Sequence, residues 1–227
     1  LDIGRATGIL PREEQIPGER FRQGERVRAL LLTVEESGRG VFLRFSRSHP
    51  QFLVKLFELE TPELGSGAVS IKGVAREAGS RTKIAVWGED EHIDPVGALV
   101  GQRGVRVSTV MSELGGEKID IIEYSEEPVQ FIEDALSPAK TLSVEIDEEN
   151  NQATAEVAAD QQSLAIGKGG QNVRLAAKLT GWRIDIHSTE GEQIAEADEE
   201  GAVEISEADT PRDDVEGGVE SGHQEEE

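Results

Sequence analysis

The stretch Ala165-Ile166-Gly167-Lys168-Gly169-Gly170-Gln171-Asn172-Val173 places three glycines and one lysine between two apolar segments. The four-residue G-x-x-G run from Gly167 to Gly170 predicts a tight turn, because glycine adopts positive φ without steric cost. The residues before it predict a short helix with Asp160 as its N-cap. The residues after it predict a helix over 173–180 that ends at Gly181, and an alternating strand over 182–186.

The same arrangement occurs sixty-six residues earlier in the chain. Asp94-Pro95 predicts a helix start, because proline suits the first helical position, and Gly101-Gln102-Arg103-Gly104 is the corresponding turn. Apolar residues then recur along one helical face, at Val107, Val110, Met111 and Leu114. Gly115 ends this helix, and an alternating strand follows over 119–121. A lone G-x-x-G run is a weak signal, but its repetition with both flanking helices and the strand indicates a duplicated unit.

The segments upstream of each turn extend this duplication. Residues 50–60 and 128–136 predict helices with one apolar face, and each is followed by two candidate strands joined by a turn. His49, ahead of the first of these helices, predicts a local capping contact. One unit thus has the order helix, strand, strand, helix, G-x-x-G turn, helix, strand. Residues 1–48 differ, and predict short strands over 27–34 and 41–45 within turn-rich sequence.

Charge is distributed unevenly along the chain. The formal net charge is −23, and residues 188–227 contribute 16 acidic residues and one basic residue, or −15, to it. The remaining 187 residues carry 22 bases and 30 acids, or −8, so they can still present local basic surfaces. The acidic segment has no aromatic residue, and we expect it to be disordered because it cannot bury enough apolar surface to offset its ordering entropy.

Several functional classes lack the residues they need. There is no cysteine, which excludes a disulfide framework or a thiolate metal site, and the histidines make no metal-ligand spacing. No apolar run is long enough to span a membrane, and no signal-peptide pattern opens the chain. We find no catalytic motif and predict no cofactor, no metal and no enzymatic activity. The chain begins at Leu1 rather than at methionine, which we interpret as a fragment or a processed chain.

The string Gly8-Ile9-Leu10-Pro11, with Gln15-Ile16-Pro17-Gly18-Glu19 and Gly24-Glu25-Arg26-Val27, resembles the second half of an OB-fold RNA-binding barrel. Three other strings carry a resemblance to a known family. They are Ser48-His49-Pro50 leading into Leu56-Phe57-Glu58-Leu59-Glu60, Gly115-Gly116-Glu117-Lys118-Ile119-Asp120-Ile121, and Leu136-Ser137-Pro138-Ala139 with Ser163-Leu164-Ala165-Ile166-Gly167-Lys168. On these strings the chain resembles the NusA family of bacterial transcription elongation factors. The resemblance covers most of residues 1–187 and does not include the polymerase-binding N-terminal domain of that family.

This resemblance implies an α+β fold built from four segments. We expect a partial OB-fold β-barrel over 1–48, two tandem type II KH domains over 49–124 and 125–187, and a disordered acidic tail over 188–227. Only four residues, Tyr124 to Glu127, lie between the last predicted strand of the first unit and the first predicted helix of the second. We therefore expect the two units to pack as a semi-rigid tandem.

The two G-x-x-G turns are the predicted RNA-binding sites. Glycine lets the backbone approach a phosphate, and the following helix presents free N–H groups and the positive end of its dipole. In KH modules such a loop clamps the backbone of about four nucleotides. The predicted RNA-binding residues are Gly101, Gln102, Arg103, Gly104, Arg106, Gly167, Lys168, Gly169, Gly170, Arg174 and Lys178.

The resemblance also implies partners and a cellular role. The expected ligand is single-stranded nascent RNA, and the expected effect is modulation of RNA polymerase pausing, termination and antitermination. RNA polymerase would be contacted through the missing N-terminal domain of the full-length protein, and other antitermination factors would join the complex. We expect a cytoplasmic monomer without membrane association.

Two other interpretations remain open on the sequence. The RNA-binding end of a phosphorolytic exoribonuclease also combines KH and OB modules, although there a single KH module precedes the barrel. A ribosome-associated RNA-binding protein is the other, although such proteins are normally strongly basic, whereas residues 1–187 carry a charge of −8.

Overall fold

The computed structural model describes residues 1–4, 6–37, 40–189 and 193–206. Three sheets follow one another along the chain, the first two of three strands each and the third of five. Helices pack on both faces of the second sheet and on one face of the third. The predicted α+β class is therefore confirmed.

The N-terminal segment is an open three-stranded sheet. A two-residue strand pairs in parallel with the second strand of a hairpin. Its strands are β1 (Gly8–Ile9), β2 (Leu30–Ser37) and β3 (Gly40–Ser46). Large apolar side chains in this segment remain exposed, among them Ile9 at 61%, Val34 at 60% and Phe42 at 54%. Exposed apolar side chains on several strands are what an incomplete barrel would leave without partners.

The first repeat, here residues 49–124, has the predicted order of elements. Its elements are α1 (Pro50–Glu60), α2 (Pro62–Gly65), β4 (Val69–Glu77), β5 (Arg81–Gly88), α3 (Pro95–Val100), α4 (Val105–Glu113) and β6 (Lys118–Glu123). Strands β4 and β5 are antiparallel, and β6 joins β5 in parallel. The short helix α2 is an addition, because the sequence around Pro62 predicts only the end of α1.

The second repeat, here residues 125–206, follows the same path and then continues. Its elements are α5 (Pro128–Ala135), β7 (Thr141–Asp147), β8 (Gln152–Val157), α6 (Gln162–Ile166), α7 (Gln171–Thr180), β9 (Arg183–Ser188), β10 (Gln193–Ala197) and β11 (Val203–Ile205). Strand β9 pairs in parallel with β8, as β6 does with β5. Strands β10 and β11 then enlarge the sheet from three strands to five.

The prediction of a structureless segment from Ser188 onward is therefore wrong for residues 193–206. Ile194, Ala195 and Ala197 are buried, because they extend the apolar face of β9 across a new antiparallel strand. Two further parts of the predicted acidic tail, residues 190–192 and 207–227, lie outside the described residues.

Local capping explains where the helices begin and end. The His49 side chain accepts a hydrogen bond from the Gln51 amide at 3.1 Å, and Asp94 accepts one from the Gly97 amide at 2.8 Å, as the sequence predicts. The predicted cap at Asp160 is wrong: Gln161 occupies the N-cap position of α6 and makes no side-chain capping bond. Helix α7 ends at Gly181, which adopts the left-handed conformation with φ 73°.

Each repeat contains an apolar core, and the core of the second repeat includes residues of the first. Leu53, Phe57 and Ile84 belong to the first core. Ala85 and Ile122, on the other face of the β4-β5-β6 sheet, belong to the core built by α5, α7 and the five-stranded sheet. The second repeat thus covers the face of the β4-β5-β6 sheet that the helices of the first repeat leave open.

A buried ion pair ties the N-terminal segment to the first repeat. Arg76 donates to both carboxylate oxygens of Glu117 at 2.9 Å, and both side chains are fully buried. Glu117 also accepts from the Thr82 hydroxyl at 2.6 Å, and Arg76 donates to the Arg47 carbonyl at 2.9 Å. Every charge in this network has hydrogen-bond partners, which a buried ion pair requires for stability.

Lys83 provides a polar contact across the boundary between the repeats. Its side chain is fully buried and donates to the Ser137 carbonyl at 2.6 Å, while Asp120 lies 3.4 Å away. Burial lowers the pKa of Lys83 from 10.5 to about 8, against the attraction of Asp120.

This pKa predicts a specific dependence of stability on pH. Between pH 8 and 10.5 the unfolded chain holds a proton on the Lys83 amine that the folded chain has released, so the free energy of unfolding should rise with pH across that window. The Lys83→Met variant has no amine to titrate at this position, so its free energy of unfolding lacks this dependence on pH. The free energy of unfolding of the wild type minus that of the variant should therefore increase as the pH rises. Urea unfolding at about pH 7.5, 9 and 10 measures the difference. A difference that stays constant or falls with pH would contradict the lowered pKa.

Candidate nucleic-acid interface

The two G-x-x-G turns have nearly identical backbone conformations. Gly101 and Gly167 have φ/ψ of 73°/171° and 74°/171°, a region that is essentially restricted to glycine. A single turn of 3-10 helix follows in each case, and Gly104 and Gly170 then adopt the left-handed conformation. The sequence repeat is therefore also a structural repeat.

The third position of each turn is also left-handed, and it differs in residue type. Arg103 has φ 53° and ψ 26°, whereas the equivalent Gly169 has φ 59° and ψ 34°. Lys168 occupies the second position, where the first turn has Gln102. The two loop cations are thus not equivalent: the first turn presents its charge one residue later than the second.

The first glycine of each turn is also required by packing. A Cβ on Gly101 would lie 2.7 Å from Cγ of Arg106, and a Cβ on Gly167 would lie 2.8 Å from the backbone nitrogen and Cβ of Asn172. These neighbours come from the same position of the helix that follows each turn. The glycines at these two positions are therefore needed for close helix packing whether or not a phosphate approaches.

Gln102, Arg103 and Lys168 are exposed at the tips of the turns. Within the part of the chain that the structure describes, neither Arg103 nor Lys168 forms an ion pair. Both cations are free to meet an anion.

Arg106 is instead engaged inside the first repeat. Its guanidinium donates to Glu63 at 3.0 Å and to the Ala98 carbonyl at 2.6 Å. Asn172 has the same place in the second repeat and donates to the Ala165 carbonyl at 3.0 Å. Both side chains lock the helix after the turn to the helix before it, so the geometry gives Arg106 a positioning role.

Arg174 and Gln171 connect the second turn to the first repeat. Arg174 donates to Glu77 at 2.6 Å and to the Gly169 carbonyl at 3.1 Å, and Gln171 donates to Glu77 at 2.6 Å and to the Ser80 hydroxyl at 2.8 Å. Burial by itself would raise the pKa of Glu77, but the hydrogen bonds from Arg174 and Gln171, together with the charges of Arg174 and Lys178, lower it. The carboxylate therefore stays ionised and holds the start of α7 against β4.

Sequence reasoning missed the contribution of the C-terminal extension to the second turn. Val203 of β11 packs on Gly170, and a Cβ at that glycine would clash with the valine. Gly201, in the turn between β10 and β11, lies against the side chains of Arg174 and Lys178, although Lys178 remains exposed. The alternation of apolar and acidic residues in 194–197 and 203–205 was the available signal.

The two helices that follow the turns differ in charge. Arg174 and Lys178 of α7 correspond to Ser108 and Ser112 of α4, which lie sixty-six residues earlier and are both exposed. Helices α4 and α7 share one feature nonetheless: their N-cap is a glycine, with no side-chain capping bond. The first N–H groups of both helices therefore lack a side-chain acceptor and point toward the turn.

The described residues contain no group of three or more His, Asp or Glu side chains placed to hold a metal ion. None of the helices in the described ranges is both long and apolar enough to cross a membrane.

Comparison with known sequences identifies the family. Residues 47–124 match the family model for the NusA-like first KH domain, and residues 128–194 match that for the NusA-like second KH domain. The chain belongs to the NusA family. The match to the second NusA domain ends within β10, so most of β10 and all of β11 lie beyond it.

Three curated relatives carry the name transcription termination/antitermination protein NusA. The relative from Halalkalibacterium halodurans is 48% identical over 89% of this chain and 53% of its own length. The relative from Thermus thermophilus is 46% identical over 92% of this chain and 54% of its own, and that from Mycobacterium tuberculosis is 51% identical over 80% and 52%. The chain thus spans about half the length of these NusA relatives.

The geometry of the second turn predicts unequal effects of two glycine substitutions. Gly167→Ala places a methyl group against Asn172 in a glycine-only conformation, so we expect it to destabilise the fold by about 2–4 kcal/mol. Gly169→Ala meets no atom within 4 Å and has φ 59°, so it should cost only about 1–2 kcal/mol. Thermal or urea unfolding of the two variants measures the difference. Equal losses of stability would show that the contact with Asn172 is unimportant.

Proposed function

We propose that this chain is the RNA-gripping part of a NusA-type transcription factor and binds single-stranded nascent RNA through both G-x-x-G turns. The observation that carries the proposal is that two turns of matching geometry lie beside uncapped helix starts. Each turn presents an exposed cation that forms no ion pair with the residues that the structure describes. Backbone N–H groups and the helix dipole favour a phosphate at such a position, and Arg103 or Lys168 adds a full charge.

The packing of the repeats supports a composite site. The bonds from Arg174 and Gln171 to Glu77, together with the shared apolar core, fix the second turn relative to the sheet of the first repeat. Two modest sites on one rigid body raise each other's effective concentration for a strand that reaches both. In this proposal Gly101, Gln102, Gly104, Gly167, Gly169 and Gly170 shape the phosphate contacts, and Lys178 lies beside the path. Arg106 and Arg174 hold the turns in place.

In the full-length protein, this grip would act on RNA polymerase pausing, termination and antitermination. We propose that polymerase is contacted through a domain upstream of this chain, and that other antitermination factors join the complex. The chain itself would act as a cytoplasmic monomer and would bind RNA without catalysing a reaction on it. A test for phosphate-dependent RNA degradation separates this proposal from the exoribonuclease interpretation, because we expect no degradation.

Reversal of the two loop charges tests the RNA site. The Arg103→Asp/Lys168→Asp double variant should nearly abolish binding of a single-stranded RNA, because two phosphate contacts become repulsive. The slope of log K against log salt should fall by about 0.7 for each lost contact, or about 1.4 in total. Fluorescence anisotropy at several salt concentrations gives both quantities.

A matched control separates the site from total charge. Lys118 and Lys140 are exposed and lie outside both turns, so Lys118→Asp/Lys140→Asp changes the net charge of the chain by the same amount. We expect this control to retain most of the affinity. Equal affinities of the loop variant and the control would refute the assignment of the turns.

A further inference from the structure

The sheet of the second repeat has an outer face that no helix of the described chain covers. Ala153, Ile184, Ile186 and Ala195 are buried against the helices, so the residues that alternate with them lie on the opposite face. In the first repeat, the corresponding face carries Ala85 and Ile122, and the second repeat packs on it.

This outer face carries a row of five side chains, one from each strand, and most of them are carboxylates. The strand registers place Glu145, Thr154, Asp185, Glu196 and Glu204 directly opposite one another in succession. Four of the five are acidic, and Asp185, Glu196 and Glu204 are immediate neighbours. Like charges directly opposite each other across strands are unfavourable, so this row destabilises the isolated sheet.

The described residues supply little compensation for that charge. Arg183 pairs with Glu196, and His187 is the other basic residue on the face. Asp185 is only 5% exposed, and its Oδ1 oxygen has no hydrogen-bond partner among the described residues, while Oδ2 accepts from Gln152. A buried carboxylate oxygen without a donor is costly unless a ligand supplies one.

The first repeat shows which side chains pair with a carboxylate at the position of Asp185. Asp120 stands where Asp185 stands, and it receives Arg81 at 2.7 and 3.0 Å and Lys83 at 3.4 Å. The registers place Gln152 and Thr154 at the positions of Arg81 and Lys83. The second repeat has therefore kept the carboxylate and lost both of its cations.

We propose that the outer face of the second repeat is a docking surface for an arginine-rich segment of a partner protein. A guanidinium from the partner would pair with Asp185, as Arg81 pairs with Asp120, and further basic side chains would neutralise Glu196 and Glu204. Arginine suits this role because its planar fork binds a carboxylate through two parallel hydrogen bonds. Nucleic acid would be repelled by the row of carboxylates, so this face is separate from the RNA turns in function.

The test measures binding of a fluorescein-labelled peptide of alternating arginine and serine to the full chain by anisotropy. We expect Asp185→Asn/Glu204→Gln to weaken binding at least about tenfold, because each substitution removes one carboxylate of the row. The control Glu148→Gln/Glu149→Gln makes the same change in net charge in the exposed turn between β7 and β8, and should weaken binding less than about twofold. Affinity for single-stranded RNA should not fall in either variant.

A second variant keeps the proposal testable if the change at Asp185 disturbs folding. Glu145→Gln/Glu204→Gln alters only the two exposed ends of the row, and it too should bind the peptide more weakly than the control. Shifts of the amide resonances of residues 183–187 and 194–197 on titration would place the peptide on this face. Equal peptide affinities of the face variants and the control, or resonance shifts confined to other parts of the chain, would overturn the proposal.

Discussion

The Glu77 carboxylate, held by Arg174 and Gln171 from the start of α7, is the contact on which the arrangement of the molecule depends. It joins the sheet of the first repeat to the residue that directly follows the second turn, so the orientation of that turn is set by the other repeat. Because the carboxylate is partly buried and remains charged, removing either partner would leave an uncompensated group at the boundary. The apolar contacts of Ala85 and Ile122 with the second core reinforce the same arrangement.

The two repeats share one chain path but differ in the surfaces that they present. Both hold a glycine turn between short helices, but the faces of their sheets have diverged. The first repeat buries its outer face and satisfies Asp120 with its own cations, whereas the second exposes that face and leaves Asp185 short of donors. The opposite change occurs on the helices, where Ser108 and Ser112 correspond to Arg174 and Lys178. The tandem thus has a glycine turn on each repeat, and among the described residues only the second repeat leaves its charged sheet face without a covering helix.

Features set by nearby residues could be read from the sequence. The caps at His49 and Asp94, the stop at Gly181 and the paired turns depend on residues within a few positions, and the structure has them where they were predicted. The partners of Arg106 and Arg174 could not be read, because Glu63 and Glu77 lie 43 and 97 residues away. Strands β10 and β11 were missed because acidic composition outweighed a short alternating pattern, and their burial depends on the existing edge of β9. The predicted cap at Asp160 is wrong because a hydrogen-bonded turn from Ala158 to Gln161 precedes α6, and Gln161 takes the N-cap position.

We expect the packing of the repeats to hold the two turns at a fixed separation. The natural chain has no cysteine, so cysteines at Gln102 and Lys168 can be spin-labelled without other changes. Pulsed electron–electron double resonance then measures the distribution of distances between the two turns in the free protein. We expect one narrow distribution that broadens when Glu77 is replaced by alanine. A broad distribution in the otherwise unchanged chain, as expected for two domains on a flexible linker, would show that packing does not fix the separation.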